Sequence, residues 1–352
     1  MNRGIKFLLL TVMLLTTVTF AFGETADDYF ARGYEKQQKV DLDGAIVDYT
    51  RAIELKPDYA DVYGNRGVAK QAKGDLDGAI ADYNKVVELK PDVVAYYNRA
   101  YAKQAKGDWN GAIADYTKTV ELKPDYAGAY NNRGNTKKSK GDLDGAIADY
   151  NQAIDLHENS GNAYYNRGNL KKDKGDLDGA IADYTEAIKL KPDDVDSYNH
   201  RGYLRYALHN FRDALADFRK AAELNSADNY VPLQVWLIRT QLGETEAATK
   251  ELKTYLASRT TDKPDDWLPK IGRFLAGELA EPEFLAAAKN PDPKTEAGQL
   301  CEAYFYAGSK RLLAGDKTTA TDYFRKAVAT NKQDYTEYTR AIAELKFLKA
   351  AK

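Results

Sequence analysis

The sequence contains few of the side chains that most often carry catalysis or bind metal ions. Its 352 residues include one cysteine, Cys301, so no disulfide can form within the chain. We expect Cys301 to be a small buried apolar side chain, although a bond to a second chain is the alternative. The three histidines, His157, His200 and His209, show no metal-ligand spacing, and neither a phosphate-binding glycine loop nor a nucleophile elbow occurs. These absences predict a protein that is not an enzyme and that binds no cofactor and no metal.

The chain also lacks a strong charge of one sign. Lysine and arginine number 51, aspartate and glutamate number 53, and the formal net charge is -2, with no basic block. Because nucleic acids and anionic membranes attract clustered lysine and arginine, neither is an expected partner. Other proteins or peptides are the expected partners, and membrane association is expected only if the N-terminal segment is retained.

A long hydrophobic run occurs only at the N-terminus, at residues 7–22. It follows a short basic stretch with Arg3 and Lys6, and small residues, Ala21 and Gly23, stand just before Glu24. This order is typical of a secretory signal peptide that is cleaved before Glu24. We therefore expect an exported protein, periplasmic or secreted. A retained anchor is the alternative, although a membrane span usually needs about 20 apolar residues.

What the chain does contain is a repeat. The stretch Gly161–Pro192 holds two short amphipathic segments joined by a GDLDG turn. Near-copies recur every 34 residues, with one step of 33, and such a period is typical of stacked-repeat proteins. One copy cannot bury its own apolar stripe, whereas a row of copies can. With positions numbered 1–34 in each, the six copies start at Ala26, Ala60, Val93, Ala127, Gly161 and Val195.

Fixed positions of the repeat carry fixed residue types. Aromatic residues recur at positions 4 and 24, and small residues recur at positions 8 and 20, as two closely packed helices require. Proline at position 32 is expected to end the second helix. Aspartate at position 16 is expected to cap that helix, and we prefer capping to calcium binding for the DxDG tetrads because the tetrad runs directly into the helix.

This pattern resembles the tetratricopeptide repeat over Ala26 to about Asp228. The resemblance implies an all-α fold, a right-handed α-solenoid of helix hairpins, here with a helical C-terminal extension. The chain departs from the family at position 7, where arginine replaces leucine, and at position 11, where lysine replaces a large apolar residue. We therefore expect a first helix that is more polar than is usual in the family.

The arginine at position 7 is accompanied in every copy by an aspartate at position 23. In a C-terminal copy both are absent together, since Ala307 and Tyr323 replace them. We predict that the two side chains pair between the helices, within or between repeats, because partly buried opposite charges form strong hydrogen bonds. Two independent surface charges are the alternative. The predicted structural pairs are Arg66 with Asp82, Arg99 with Asp115, Arg133 with Asp149, and Arg167 with Asp183.

A row of asparagines at position 6 indicates a binding surface. In the family that the repeat resembles, first-helix positions 2, 5, 6, 9, 12 and 13 line a concave face. Asparagine can pair with an extended peptide backbone and tyrosine adds contact area. The alternative is that asparagine only fixes the geometry of the turn from helix to helix. Position 2 offers no cation, so uncharged or mildly acidic segments suit this face better than a free peptide C-terminus. The predicted groove residues are Asn65, Asn98, Asn132, Asn166, Tyr97, Asn131, Tyr165, Asn135, Asn169, Lys138 and Lys172.

The C-terminal part departs from the regular repeat. After a signal peptide at 1–23 and six repeats at 24–228, we predict a degenerate helical hairpin at 229–260 and a linker with two short helices at 261–295. A further repeat and a capping helix are predicted at 296–352. Residues 265–349 resemble the C-terminal part of NlpI-type bacterial envelope proteins, which are lipoproteins that act as adaptors for periplasmic proteases and cell-wall hydrolases. No lipid-attachment cysteine stands at the predicted cleavage site.

These observations predict a non-enzymatic scaffold or adaptor, in the cell envelope or secreted, that binds extended peptide segments in its groove. Two alternatives stay open. One is a structural envelope protein that assembles with itself. The other is a regulator that delivers substrates to a periplasmic protease or a cell-wall hydrolase, as the resemblance of the tail implies.

Overall fold

The protein is all α-helical over the residues that its structure, a computed structural model, describes: 24–156, 160–225, 230–259, 266–333 and 335–350. These ranges contain 19 helices and no strand, so the predicted fold class is confirmed. The predicted signal peptide at 1–23 and His157 lie outside the described residues. Among the described helices, none is both long enough and apolar enough to span a membrane.

The chain divides into two compact units, Met1–Pro124 and Asp125–Lys352. The helices of the first unit are α1 (Ala26–Gln38), α2 (Leu42–Leu55), α3 (Ala60–Ala72), α4 (Leu76–Leu89), α5 (Val93–Lys106) and α6 (Trp109–Leu122). Those of the second unit are α7 (Ala127–Lys140), α8 (Leu143–Leu156), α9 (Gly161–Asp173), α10 (Leu177–Leu190), α11 (Val195–Ala207), α12 (Phe211–Leu224), α13 (Val231–Gln241), α14 (Thr245–Ser258), α15 (Trp267–Leu275), α16 (Glu281–Ala287), α17 (Pro293–Leu313), α18 (Lys317–Ala329) and α19 (Thr336–Ala350).

Each copy of the repeat forms one helical hairpin. The paired helices are α1 with α2, α3 with α4 and α5 with α6 in the first unit, and α7 with α8, α9 with α10 and α11 with α12 in the second. Within a unit, the second helix of one hairpin also packs on the first helix of the next, as α2 does on α3 and α8 on α9. The apolar stripe of a single copy is thereby buried by its neighbour.

Local residues set the turn inside each hairpin. The position-16 aspartate accepts a hydrogen bond from the backbone N–H three residues later, at 2.9 to 3.0 Å, so the predicted capping is confirmed at Asp41, Asp75, Asp108, Asp142 and Asp176. The preceding residue, position 15, is left-handed, with φ of 83° to 92° in the four copies where it is glycine. Val40 and His209 occupy the same place in the first and sixth copies, with φ of 64° and 58°. A branched side chain such as that of Val40 is strained in this conformation.

The tyrosine at position 24 is the largest buried side chain of each of the first five hairpins. These five rings are at most 2% exposed. The ring lies directly on the small residue at position 8, because a Cβ built on Gly134 would approach Tyr150 Cε1 to 2.7 Å. The small residue is therefore needed to seat an aromatic ring, in addition to letting the helices approach as predicted.

The C-terminal helices, α13 to α19, share one apolar core. Its centre is an aromatic stack in which the Phe284 ring lies 5.3 Å from Trp267 and 4.2 Å from Phe274, between ring centroids. Cys301 is fully buried on α17, as expected. The last three residues of the predicted linker at 261–295 are instead part of a longer helix: α17 begins at Pro293, because Asp292 caps it and proline fits the first turn of a helix.

Candidate functional site

The arginine and aspartate singled out in the repeat meet inside each hairpin. The guanidinium donates two hydrogen bonds to the carboxylate. In the second copy, Arg66 Nη2 lies 2.6 Å from Asp82 Oδ1, and Arg66 Nε lies 2.9 Å from Asp82 Oδ2. The aspartate side chain is only 4% exposed, so the pair is not two independent surface charges. The same two-bond geometry recurs in Arg99 with Asp115, Arg133 with Asp149, Arg167 with Asp183, and Arg201 with Asp217.

A second cation, which the sequence argument missed, completes each pair. The lysine at position 11 reaches the same carboxylate, and in the fifth copy Lys171 Nζ lies 2.9 Å from Asp183 Oδ2. Equivalent distances of 2.7 to 2.8 Å hold for Lys36, Lys70, Lys103 and Lys137, and Arg205 replaces lysine in the sixth copy. The departure from the family pattern at position 11 thus has a structural cause. Its spacing of four residues from the arginine, on one helix face, was the available signal.

The arginine also ties one repeat to the next. The Nη1 atom, which does not bond to the aspartate, donates to the side chain at position 25 on the second helix of the preceding repeat. Arg167 donates to Asn151 Oδ1 at 2.6 Å, and Arg66 donates to Thr50 Oγ1 at 3.0 Å. Its guanidinium also lies over the position-4 tyrosine, 5.3 Å from the ring centroid for Arg167 over Tyr164. The hydrogen-bonding groups of these arginines are therefore used within the fold, and we do not count them among the ligand-binding groups.

The buried tyrosines divide the first five repeats into two types. In copies one to three the position-24 hydroxyl donates to a glutamine at position 12, as in Tyr116 to Gln104 Oε1 at 2.9 Å. In copies four and five it donates to an asparagine at position 9, as in Tyr184 to Asn169 Oδ1 at 2.8 Å. Two predicted groove residues, Asn135 and Asn169, are thus engaged by buried tyrosines. In copies one to three, position 9 carries the exposed apolar residues Tyr34, Val68 and Tyr101 instead.

In the first unit, two predicted groove residues line one cavity. Asn65 on α3 and Asn98 on α5 line a cavity of about 430 Å³, whose apolar lining includes Phe30, Val68 and Val94. Position 5 of this copy is Gly64, and a Cβ built there would lie 3.9 Å from the nearest atom, Val86 Cγ2. The space exists because glycine has no side chain to fill it. A third predicted residue, Tyr97, points elsewhere and packs edge-on against Tyr116 at 5.7 Å.

The two asparagines of this cavity differ in what they bind. Asn65 donates from Nδ2 to the backbone carbonyl of Asp61 at 2.8 Å, which leaves its Oδ1 to a ligand. Asn98 makes no side-chain hydrogen bond to any described residue. The charged groups at the rim are Asp61, Asp92 and Lys90, whose Nζ lies 3.6 Å and 3.9 Å from the two carboxylates. The rim therefore carries one excess negative charge.

In the second unit, predicted groove residues are brought together but bond to one another. Asn166 Nδ2 donates to Asn131 Oδ1 at 3.0 Å, and Asn131 Nδ2 lies 3.4 Å from Asn132 Oδ1. One repeat further on, Tyr165 lies 3.1 Å from His200 Nε2. Position 5 of one copy thus contacts position 6 of the next. These asparagines therefore serve the packing of neighbouring hairpins, a role that neither the groove prediction nor its alternative of fixed turn geometry had named.

The side chain of His200 is also engaged in contacts within the fold. Its ring stacks on Tyr184 with 5.6 Å between centroids. Burial, and then the nearby Lys172, lowers the pKa of His200 to about 4, so the ring is neutral at pH 7. The last two predicted groove residues, Lys138 and Lys172, converge on Asp173 from neighbouring repeats at 3.9 and 3.8 Å. Within the described ranges, no group of three or more His, Cys, Asp or Glu side chains is arranged to hold a metal ion.

Family models match most of the regular repeats. A model described as TPR repeat matches residues 26–74, 100–139, 134–172 and 168–209, and one described as tetratricopeptide repeat matches 60–93. Together the matches span 26–93 and 100–209, about half of the chain.

Several solved structures are similar to this chain to different degrees. A tetratricopeptide repeat protein from Parabacteroides merdae ATCC 43184 is 20% identical, with a TM-score of 0.52 over 72% of this chain and 100% of its own. The MamA protein is 28% identical, with a TM-score of 0.45 over 48% of this chain and 93% of its own. YrrB, described as a TPR protein with an unusual peptide-binding site, is 22% identical, with a TM-score of 0.42 over 52% and 95%. The Parabacteroides merdae structure supports the helical-repeat fold found here.

Proposed function

Because the chain belongs to the tetratricopeptide repeat family, we propose that it is a non-enzymatic scaffold for protein interaction, and that it binds an extended peptide segment at the cavity between α3 and α5. Repeats of this family generally serve to bind other proteins or peptides. The location of the peptide-binding site is the more specific part of this proposal. It rests on which polar side chains make no hydrogen bond within the fold.

The observation that carries the proposal is the unused amide of Asn98. A peptide in extended conformation offers alternating N–H and C=O groups, and an asparagine side chain can pair with both. In the second unit the equivalent amide of Asn166, at position 6, donates to Asn131, and the position-9 amide of Asn135 accepts from Tyr150. Asn98 and Asn65 line the same cavity, where both can contact one peptide.

Apolar surface beside these amides supplies the contact area that binding needs. Val94 is 63% exposed and Val68 is 41% exposed, and both line the cavity. Tyr34 and Tyr101, at position 9 of the first and third copies, are each 50% exposed. Burying such side chains contributes roughly 25 cal/mol per Å² of apolar surface. Since the rim carries an excess negative charge, an uncharged segment with apolar side chains is favoured over an acidic one.

The test selects peptides from a random display library on the purified full chain and measures their Kd. Asn98→Ala and Val94→Asp should each weaken the selected peptides by about tenfold or more, which equals about 1.4 kcal/mol. Asn110→Ala is the matched control, because Asn110 is an exposed asparagine at the start of α6, outside the cavity. Peptides that bind all four proteins equally would place the binding surface elsewhere.

The cellular location is part of the same proposal. The signal-like segment at 1–23 supports export to the periplasm or the medium, and the tail that resembles NlpI-type proteins supports an adaptor that serves a protease or a cell-wall hydrolase. N-terminal sequencing of the exported protein should begin at Glu24. Recovery of the uncleaved chain would contradict export by cleavage.

A further inference from the structure

The last helix of the chain covers part of the first-helix surface of the second unit. Helix α19 packs on α17 and α18 and reaches across to α11, the first helix of the sixth repeat. There the Arg340 guanidinium lies over Tyr203 and Tyr206, 5.8 and 4.2 Å from the ring centroids. Further along, the Phe347 ring stacks on His209 at 3.8 Å. Tyr203 and Tyr206 are positions 9 and 12 of their repeat, so α19 lies on the face that carries exposed side chains in the first unit.

The contact is built around a buried polar cluster. Glu302 of α17 and Glu337, Arg340 and Glu344 of α19 are each at most 5% exposed. Trp267 Nε1 of α15 donates to Glu302 Oε2 at 2.8 Å, and the Tyr306 hydroxyl donates to Glu337 Oε1 at 3.3 Å.

Two further contacts extend the cluster to α13. Gln234 Nε2 donates to the Tyr306 hydroxyl at 3.1 Å, and Arg340 donates to Gln234 Oε1. Five elements, α11, α13, α15, α17 and α19, therefore meet in one place. Glu344 Oε2 is buried there with no hydrogen-bond partner among the described residues.

The cluster holds more carboxyl groups than cations. Three glutamates face one arginine, so full ionisation would leave two excess negative charges in a nearly dry site, which is costly. Burial, and then the neighbouring Glu337, raises the pKa of Glu302 to about 8. Burial also raises the pKa of Glu337 and of Glu344.

The remaining titratable groups that face the cluster are tyrosines. They come from α11, from the residue before α13, from α17 and from the residue before α19. Burial raises the pKa of Tyr206 to about 12, and burial raises the pKa of Tyr230 and of Tyr306 as well. Since Tyr206, Tyr230 and Tyr306 keep their protons through pH 9, Glu302 is the group of the cluster whose raised pKa lies between pH 5 and 9. The tyrosines are Tyr203, Tyr206, Tyr230, Tyr306 and Tyr335.

We propose that α19 is a pH-dependent cover: it stays docked on α11 while the buried Glu302 keeps its proton, and it detaches as Glu302 ionises, which uncovers Tyr203 and Tyr206. The direction follows from proton linkage. An undocked glutamate in water has an ordinary pKa of about 4.3, whereas docked Glu302 holds its proton to about pH 8. The docked state therefore binds a proton that the open state does not, and docking weakens as the pH rises between these values.

A terminal helix can open by itself while the rest of the unit stays folded, since stability is distributed unevenly along a chain. The cover lies wholly within the second unit, and the peptide cavity proposed above lies wholly within the first. Failure of one proposal therefore leaves the other in place.

The test is hydrogen exchange of the α19 amides in the full chain from pH 6 to 9, with protection factors corrected for the intrinsic pH dependence of exchange. The opening constant of α19 should rise about tenfold per pH unit up to pH 8, for one proton released, and then level off. Trp267 fluorescence should change over the same range, because its indole donates to Glu302. Protection of α19 that does not vary with pH would overturn the proposal.

The decisive variant is Glu302→Gln, which mimics the protonated acid and cannot ionise. It should keep α19 protected at pH 9 as fully as at pH 6. Glu296→Gln, on the same helix but outside the cluster, is the matched control and should follow the wild type. If Glu302→Gln fails to fold, Glu337→Gln serves instead. It removes the neighbouring carboxylate that helps to raise the pKa of Glu302, so the pH at which opening levels off should move down, and an unchanged profile overturns the proposal.

Discussion

Removing the two members of the Arg167–Asp183 pair should cost less together than the sum of the single losses. Asp183 is 4% exposed and accepts two bonds from Arg167, at 2.9 and 2.7 Å. Arg167→Ala leaves that buried carboxylate with Lys171 as its remaining cation. Breaking a buried pair on one side typically costs 3–5 kcal/mol, and because Lys171 remains we expect about 2–4 kcal/mol.

Asp183→Ala should cost somewhat less. The two cations that it leaves behind, Arg167 and Lys171, are 18% and 24% exposed, so both can turn toward water. We expect about 1–3 kcal/mol for this variant. In the double variant neither a buried carboxylate nor its main partner remains, so the coupling free energy should be about 1–3 kcal/mol in favour of the pair.

The measurement is a double-mutant cycle on the full chain. Because stacked repeats can unfold in parts, hydrogen exchange of the α9 and α10 amides is needed beside urea unfolding followed by circular dichroism. The control cycle uses Glu186 and Lys189, an exposed pair on the same helix with a distance of 2.5 Å. That pair should couple by at most about 0.5 kcal/mol. Additive losses at Arg167 and Asp183, within about 0.5 kcal/mol, would show that the pair contributes nothing as a pair.

Two predictions concern the turns between helices. Val40→Gly should raise the free energy of unfolding by about 1 kcal/mol, since φ is 64° there, while Gly74→Val at the equivalent place should lower it by a similar amount or more. Equal thermal midpoints for wild type and Val40→Gly would refute the strain. Asp176→Ala should cost about 1 kcal/mol by removing the cap of α10, whereas Asp178→Ala, in the same turn but not the cap, should change urea unfolding much less. Equal losses for these two aspartates would mean that capping is not the cause.

Much of the fold could be read from the chain because its causes are local. The period of 34 residues, the aspartate caps and the left-handed position 15 each depend on residues within a few positions of one another. The arginine and aspartate pairing was also predictable, since two charged residues that recur and disappear together have a shared reason. The prediction left open whether pairs form within or between repeats, and the structure places them within.

The candidate site was predicted less well, because its residues compete for partners that lie far apart in sequence. All eleven predicted groove residues lie on first helices, at positions 5, 6, 9 and 12 of their repeats. Yet Asn169 bonds to Tyr184 and Asn166 bonds to Asn131, whereas Asn98 bonds to no described residue. Whether a position-9 asparagine is engaged depends on whether position 12 of its repeat carries a glutamine for the buried tyrosine. Whether a position-6 asparagine is engaged depends on whether position 5 of the preceding repeat is a glycine, as at Gly64, or a longer side chain. The prediction treated these asparagines as one set.

The sequence by itself determined the repeat, the helices and their ends, because short-range backbone and capping energies decide those. Only the tertiary structure decided how the lysine at position 11 is used, which amides remain for a ligand, and where α19 lies. Arg340 and Glu337 show no periodic pattern, and they meet Gln234 and Tyr306 only because α19 folds back over helices distant in the chain. A contact of that kind depends on the shape of the packed helices, which no local pattern encodes.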